Sequence, residues 1–142
     1  AEASLLPDAA AVIRALPDTG LLIGSERQLA MVSRLSPQAA QLVLPKLSEL
    51  QAALDEALQN DTKQVVILAS GDPLYCGIGA WVKRYFAHYS MVLYPNVSSI
   101  QAACHQIGLS LQEANVVSVH GRPLACLRRH LHQGRFYRGC GI

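Results

Sequence analysis

Val65-Val66-Ile67-Leu68-Ala69-Ser70-Gly71-Asp72-Pro73-Leu74-Tyr75-Cys76-Gly77-Ile78-Gly79 is the stretch on which the reading of this chain turns. Its first four residues are a continuous apolar run rich in β-branched side chains. Such a run suits a strand covered on both faces of a parallel sheet, whereas a half-solvated strand alternates apolar and polar residues. The strand is expected to end near Ser70. Gly71 then permits a tight turn, Asp72 is a favourable helix N-cap, and Pro73 takes the first helical position, where its missing N–H costs nothing. In open α/β sheets ligands bind beyond the carboxyl ends of the strands, so this strand-turn-helix unit is the place to look for a site. Gly77 and Gly79 fall inside the expected helix, where each costs roughly 1 kcal/mol relative to alanine. Some group is therefore expected to approach that surface closely. The same residues also describe a well-made βα turn whose glycines only let helix and sheet pack. Neither familiar phosphate cradle fits: Val82 stands where a dinucleotide fingerprint has its third glycine, and the loop 71–77 has no P-loop lysine.

Outward from this unit the chain alternates strand and helix. Residues 8–16 carry Ala, Val and Ile at helical spacing and are stopped by Pro17. Residues 20–24 read as a short apolar strand, and Ser25 caps a helix expected over 26–35. A weak strand at 41–44 precedes Pro45, which opens the clearest helix, with Leu47, Leu50, Leu54 and Leu58 on one stripe down to Asn60. That stripe reads as core, not as a cofactor box. After the central unit, Trp81, Val82, Tyr85 and Phe86 are expected in a core, and residues 91–94 form another buried strand ended by Pro95. Ser98 and Ser99 cap a helix to Ile107, with Gly108 as its stop. The N–H groups at that helix start can accept a carboxylate, although an ordinary cap reads the same. Residues 115–119 are a last strand, followed by a turn and a helix over 123–132. Connections of this length suit right-handed crossovers, which predicts an α/β fold, an αβα sandwich with a mainly parallel sheet. A domain boundary fits best at residues 110–113.

The 142 residues suffice for a domain with a proper core, and 51% hydrophobic with 15% charged is a globular composition slightly rich in apolar residues. That excess points to a surface meant for a partner domain or a second subunit. No apolar run approaches the roughly 18 residues of a membrane span, and the acidic, proline-interrupted start does not read as a signal peptide. Cys76, Cys104, Cys126 and Cys140 are widely spread and read as free thiols in a cytoplasmic protein. His120, His130 and His132 are the best metal-like cluster, but residues two apart on a helix do not share a face, so no metal is expected. Every charged residue after Glu113 is an arginine: Arg122, Arg128, Arg129, Arg135 and Arg138. This basic tail suits an anionic small molecule or nucleic acid, or is a solvated helix face.

Four ordered motifs carry a resemblance. They are Ile23-Gly24-Ser25-Glu26-Arg27, Ser70-Gly71-Asp72-Pro73-Leu74-Tyr75-Cys76-Gly77-Ile78-Gly79, Pro95-Asn96-Val97-Ser98-Ser99-Ile100-Gln101-Ala102 and Val117-Ser118-Val119-His120-Gly121-Arg122-Pro123. Together, over about residues 21–134, they resemble the tetrapyrrole methylases, the S-adenosylmethionine-dependent enzymes of cobalamin and sirohaem synthesis. The likeness is greatest to the branch acting on precorrin-6Y or cobalt-precorrin-7. Asn96 departs from the family's usual glycine, Cys76 stands where the branch has an aromatic, and the tail from Arg135 no longer follows the family's next strand.

The resemblance implies a tetrapyrrole methylase-like sandwich divided into two parts. Residues 1–110 are expected to be an N-terminal cofactor and substrate domain lacking its first strand, and 111–142 a truncated start of the second domain. It implies methylation of a precorrin at the meso carbon C5. Gly71, Asp72, Tyr75, Ser98 and Ser99 would bind S-adenosylmethionine, and Arg122 would meet the carboxylates of the macrocycle. The apolar excess noted above points to a homo-oligomer, and the resemblance implies a decarboxylating methyltransferase partner, fused or separate. No residue is assigned to the chemistry itself. Methyl transfer from a sulfonium to an electron-rich carbon needs orientation and exclusion of water rather than a triad or a metal. Two other readings stay open: a non-catalytic half-domain that docks a partner, and a methyltransferase of the same fold acting on RNA or a protein side chain.

Overall fold

Among the described residues, Leu-Leu-Ile at residues 21–23 is the most deeply buried apolar run, with Leu22 and Ile23 each 0% exposed. It forms strand β1, Leu21–Gly24. The computed structural model describes residues 16–60, 64–75, 77–118, 123, 125 and 138–140. Strands β2, Ala40–Val43, and β3, Val65–Ile67, lie on either side of β1 and parallel to it, in the order β2-β1-β3. Leu22 is registered with Gln41 on one side and Val66 on the other.

Three helices follow these strands: α1, Glu26–Val32; α2, Leu47–Gln59; and α3, Ile78–Tyr85. The two-residue period of a strand sends Leu22 to one face and Ile23 to the other. Leu22 packs with Leu16, with Leu29 of α1 and with Ala39, while Ile23 packs with Leu50 and Leu54 of α2 and with Phe86 beyond α3. Two apolar cores on opposite faces of one parallel sheet make the expected αβα layering. Each fully buried leucine of these cores contributes about 1.5–3 kcal/mol.

Local chemistry explains most boundaries. Ser25 caps α1 through a capping box with Gln28, and the helix tightens into a 3₁₀ turn at Ser33–Leu35. The leucine stripe of α2 is only partly core: Leu50 and Leu54 are buried, Leu58 is half-buried and Leu47 is exposed. Helix α4, Ser99–Gln106, begins on the N-cap Ser98. It is stopped at Gly108, whose φ of 63° is the left-handed conformation that releases a helix at little strain. Beyond a 3₁₀ turn at Leu111–Glu113, strand β4, Val116–Ser118, pairs in parallel with β5, Arg138–Cys140, in a separate two-stranded sheet. A strand therefore forms within the tail whose sequence departs from the family pattern.

Three expectations are corrected. The run from Val65 to Leu68 is half-buried throughout rather than covered on both faces. Residues 91–94 are not a strand, and Val92 and Tyr94 are exposed. Both differences have one cause: β3 pairs only with β1, so a segment on its other side has no hydrogen-bonded neighbour among the described residues. Third, Tyr85 is exposed, so the core beside α3 is made by Phe86 with half-buried Trp81 and Val82. The expected helix at 8–16 and most of that at 123–132 lie outside the described residues.

Candidate functional site

Two βα turns and the start of α4 meet at the carboxyl end of the sheet. Gly71, in the turn after β3, has φ of 68°. A Cβ on it would lie 3.1 Å from Ser98 Cα and 3.2 Å from the Val97 carbonyl oxygen. The missing side chain is what allows this turn to rest against the first residue of the α4 cap. On its other side, Ser70 Oγ accepts a hydrogen bond from Gln28 Nε2 at 3.1 Å. That bond ties the turn after β3 to the turn after β1.

The same device frames both helix starts. Ser25 N–H donates to Gln28 Oε1 at 2.8 Å while Gln28 N–H donates to Ser25 Oγ. Ser98 N–H donates to Gln101 Oε1 at 2.8 Å, and Gln101 N–H donates to Ser98 Oγ at 3.1 Å. Each pair satisfies two otherwise unpaired helix N–H groups, so the ends facing the crevice are held in register. Gln28 does double duty, its oxygen closing the box and its amide nitrogen bridging to Ser70.

Asp72 is not the helix cap expected from the sequence. Its Oδ1 accepts from Leu74 N–H at 2.8 Å, and its carbonyl accepts from Tyr75 N–H at 3.1 Å. This is an Asx turn, in which a short acidic side chain imitates a backbone carbonyl. The helix waits until Gly77, its N-cap. The close approach expected at the two glycines is real, but the approaching group is the chain's own Pro73 carbonyl. That oxygen accepts from Gly79 N–H at 2.9 Å and lies 2.7 Å from a Cβ built on Gly79.

Of the residues expected at a cofactor site, the structure brings Gly71 and Ser98 into contact. Ser98 is buried and its hydroxyl is committed to the cap, whereas Tyr75 and Ser99 are exposed. Asp72 is half-buried in its turn, and Arg122 lies outside the described residues. Gln28 and Ser70 were not expected. The Ser-x-x-Gln signature shows the box around Gln28, but nothing local shows the bridge to Ser70, 42 residues away. Cys104 is a buried free thiol. Among the described residues, no three His, Cys, Asp or Glu side chains gather as metal ligands, and no helix is long and apolar enough to cross a membrane.

Residues 8–136 match the family of tetrapyrrole (corrin/porphyrin) methylases. The chain belongs to this family. It is 36% identical over 121 residues to the decarboxylating precorrin-6Y C(5,15)-methyltransferase of a Sinorhizobium species, covering 85% of this chain and 29% of that protein. It is 30% identical over 112 residues to the cobalt-precorrin-7 C(5)-methyltransferase of Salmonella typhimurium, covering 79% of this chain and 54% of the relative. The chain thus spans under a third of one curated relative and about half of the other. Among solved structures, the precorrin-6Y methylase of cobalamin biosynthesis from Archaeoglobus fulgidus superposes with a TM-score of 0.57 at 19% identity, over 86% of this chain and 61% of that one. The methyltransferase CobJ superposes at 0.60 and 18% identity, over 89% and 55%. These likenesses place the layered sheet described above in the tetrapyrrole methylase fold.

Proposed function

We propose that this chain forms the part of a cobalamin-biosynthetic enzyme that holds S-adenosylmethionine against a precorrin, so that a methyl group passes to meso carbon C5. The substrate is precorrin-6Y or cobalt-precorrin-7. The observation that carries the reading is the contact of the Gly71 turn with the Ser98 cap at the carboxyl ends of parallel strands, in a chain of this family. The residues present fit the cofactor. The first turn of α4 contains no acidic residue, so its positive end is open to the methionyl carboxylate. Tyr75 and Ser99 are exposed at the rim, and the Asx turn of Asp72 fixes the backbone between Gly71 and Tyr75.

The cofactor, when bound, supplies an electrophilic methyl on a sulfonium. The electron-rich macrocycle supplies the nucleophilic carbon, so the protein's task is to align donor and acceptor and keep water out. Arg122 is proposed to meet a substrate carboxylate. The division into a domain to residue 110 and a second one beyond is supported by the two separate sheets. A homo-oligomer in the cytoplasm, working with a fused or separate decarboxylating methyltransferase, completes the proposal. Exposed Met31 and Val92, each 69% accessible, support an apolar partner surface.

The test is transfer of a ¹³C-methyl group from labelled S-adenosylmethionine by the intact protein containing this chain. Precorrin-6Y, cobalt-precorrin-7 and ribosomal RNA are offered in separate reactions. Label at C5 of a macrocycle is expected. Label in RNA, or none in either tetrapyrrole, overturns the reading.

A further inference from the structure

Strands β1 and β3 stay joined after their backbones have left the sheet. Among the described residues, their last main-chain tie is Leu68 N–H donating to Ile23 C=O at 2.7 Å. Two residues further on, Gln28 Nε2 donates to Ser70 Oγ at 3.1 Å, so a side chain takes over where the backbone stops.

The direction of that bond is fixed by its surroundings. Gln28 Oε1 lies 2.8 Å from Ser25 N and 3.0 Å from Ser25 Oγ. A backbone N–H can only donate, so the amide oxygen must face Ser25 and the amide nitrogen must face Ser70. Gly24 makes the room: a Cβ there would lie 3.3 Å from Gln28 Oε1 and 3.0 Å from Leu68 Cβ. Its bareness lets the amide and the end of β3 come together over β1. Ser70 in turn adjoins Gly71, which rests against Ser98 too closely to admit a side chain. Gln28, Ser70, Gly71 and Ser98 therefore form one line of contacts from the start of α1 to the start of α4.

Capping α1 requires only half of this line. The box is closed by the Gln28 oxygen, and the nitrogen plays no part in it. Ser70 is exposed, so water could serve its hydroxyl, and the net stabilisation from the bridge is small. What the bridge supplies is position.

We propose that Gln28 is a positioning residue for methyl transfer. Its amide nitrogen holds the Ser70–Gly71 turn, and through Gly71 it sets where the α4 cap stands, so that both walls of the crevice keep one spacing. The inference deepens the proposed function and rests on it. A misplacement of about 1 Å can lower a rate about a hundredfold, so a shift of about a third of that is worth about fivefold. The loss belongs in kcat, because cutting the bridge disturbs alignment without removing a ligand contact.

The test measures methylation of the tetrapyrrole by the intact protein containing this chain. Ser70→Ala removes the acceptor and leaves the box whole, and Gln28→Met removes the donor at similar side-chain length. Each is expected to lower kcat at least about fivefold while the KM for S-adenosylmethionine moves by less than about threefold. The double variant is expected to fall no further than the single ones, since all three cut the same bond. Ser70→Thr, which keeps a hydroxyl acceptor, is expected to restore kcat to within about twofold of the parent. Hydrogen-exchange mass spectrometry of the ligand-free protein adds a readout that holds even where Gln28→Met does not fold: in Ser70→Ala, residues 97–101 should exchange faster. Unchanged kcat in Ser70→Ala, losses that multiply in the double variant, or unchanged exchange at 97–101 would overturn the role. So would a raised KM at constant kcat, which would make Ser70 a ligand contact in its own right. A parent protein that methylates no tetrapyrrole overturns the transfer reading and this role together, whereas an active parent matched by its variants overturns the role of Gln28 alone.

Discussion

Replacing Gly71 by alanine in the intact protein tests the contact on which the site is built. Two penalties add. A non-glycine residue held at φ of 68° costs about 1–2 kcal/mol. The new methyl would sit 3.1 Å from Ser98 Cα and 3.2 Å from the Val97 oxygen, both backbone atoms, and forcing such an overlap costs about 1–3 kcal/mol. A loss of about 2–5 kcal/mol follows, or at least about 6 °C in melting temperature for a domain of this size. Relieving the overlap pushes the α4 cap away by a few tenths of an ångström. Since a 1 Å misplacement can lower a rate about a hundredfold, a drop of about tenfold in methylation is expected. Gly71→Asn separates the two penalties, because asparagine tolerates the left-handed region but brings the same Cβ. By differential scanning fluorimetry it should melt between the parent and the alanine variant. An alanine variant that melts within about 1 °C of the parent, with unchanged cofactor affinity, would refute the argument that this glycine joins the two segments.

Asp72→Ala should lose about 0.5–1.5 kcal/mol with the bond to Leu74 and weaken S-adenosylmethionine binding by calorimetry. Asp72→Asn, which keeps the acceptor, should restore both; a failure of Asn at full stability would show that the charge meets a ligand. Gln28→Ala should cost about 1 kcal/mol from the box and speed amide exchange at Gly71 by untying Ser70, whereas unchanged exchange would show the bridge to be incidental. Leu54→Ala, at a position 3% exposed, should cost about 2–5 kcal/mol by denaturant unfolding; a loss below 1 kcal/mol would mean that the second core collapses around the gap.

Much of the layered fold was legible because its signals are local. Leu21 to Ile23 is too apolar to be anything but core, and Ser25 and Ser98 each stand three residues before a glutamine, the mark of a capping box. The parallel order of strands follows from their spacing. Asp72 was misread because two local structures compete for the same side chain: an N-cap and an Asx turn both ask for a short acceptor. The choice was made by the Pro73 carbonyl folding onto Gly79, which delays the helix. Residues 91–94 look like a strand by composition, but a strand is made by its neighbour, and pairing is not written in one segment. The link from Gln28 to Ser70 joins residues distant in sequence and no period announces it. The catalytic reading came from family motifs rather than from any constellation of reactive side chains.

Both helix starts that frame the crevice are built from serine and glutamine, with none of the carboxylates that often close such boxes. Nothing in either box gains or loses a proton across the working range of an enzyme, so acid should not loosen these two hinges of the frame. Glutamine at position 101 also leaves the leading end of α4 electrically uncompensated. Gln101→Glu would preserve the box and add a built-in counter-ion, steadying the helix by a few tenths of a kcal/mol. The same change would repel any carboxylate arriving at Ser98. A helix start slightly less stable than it could be is the condition for a guest anion to complete it.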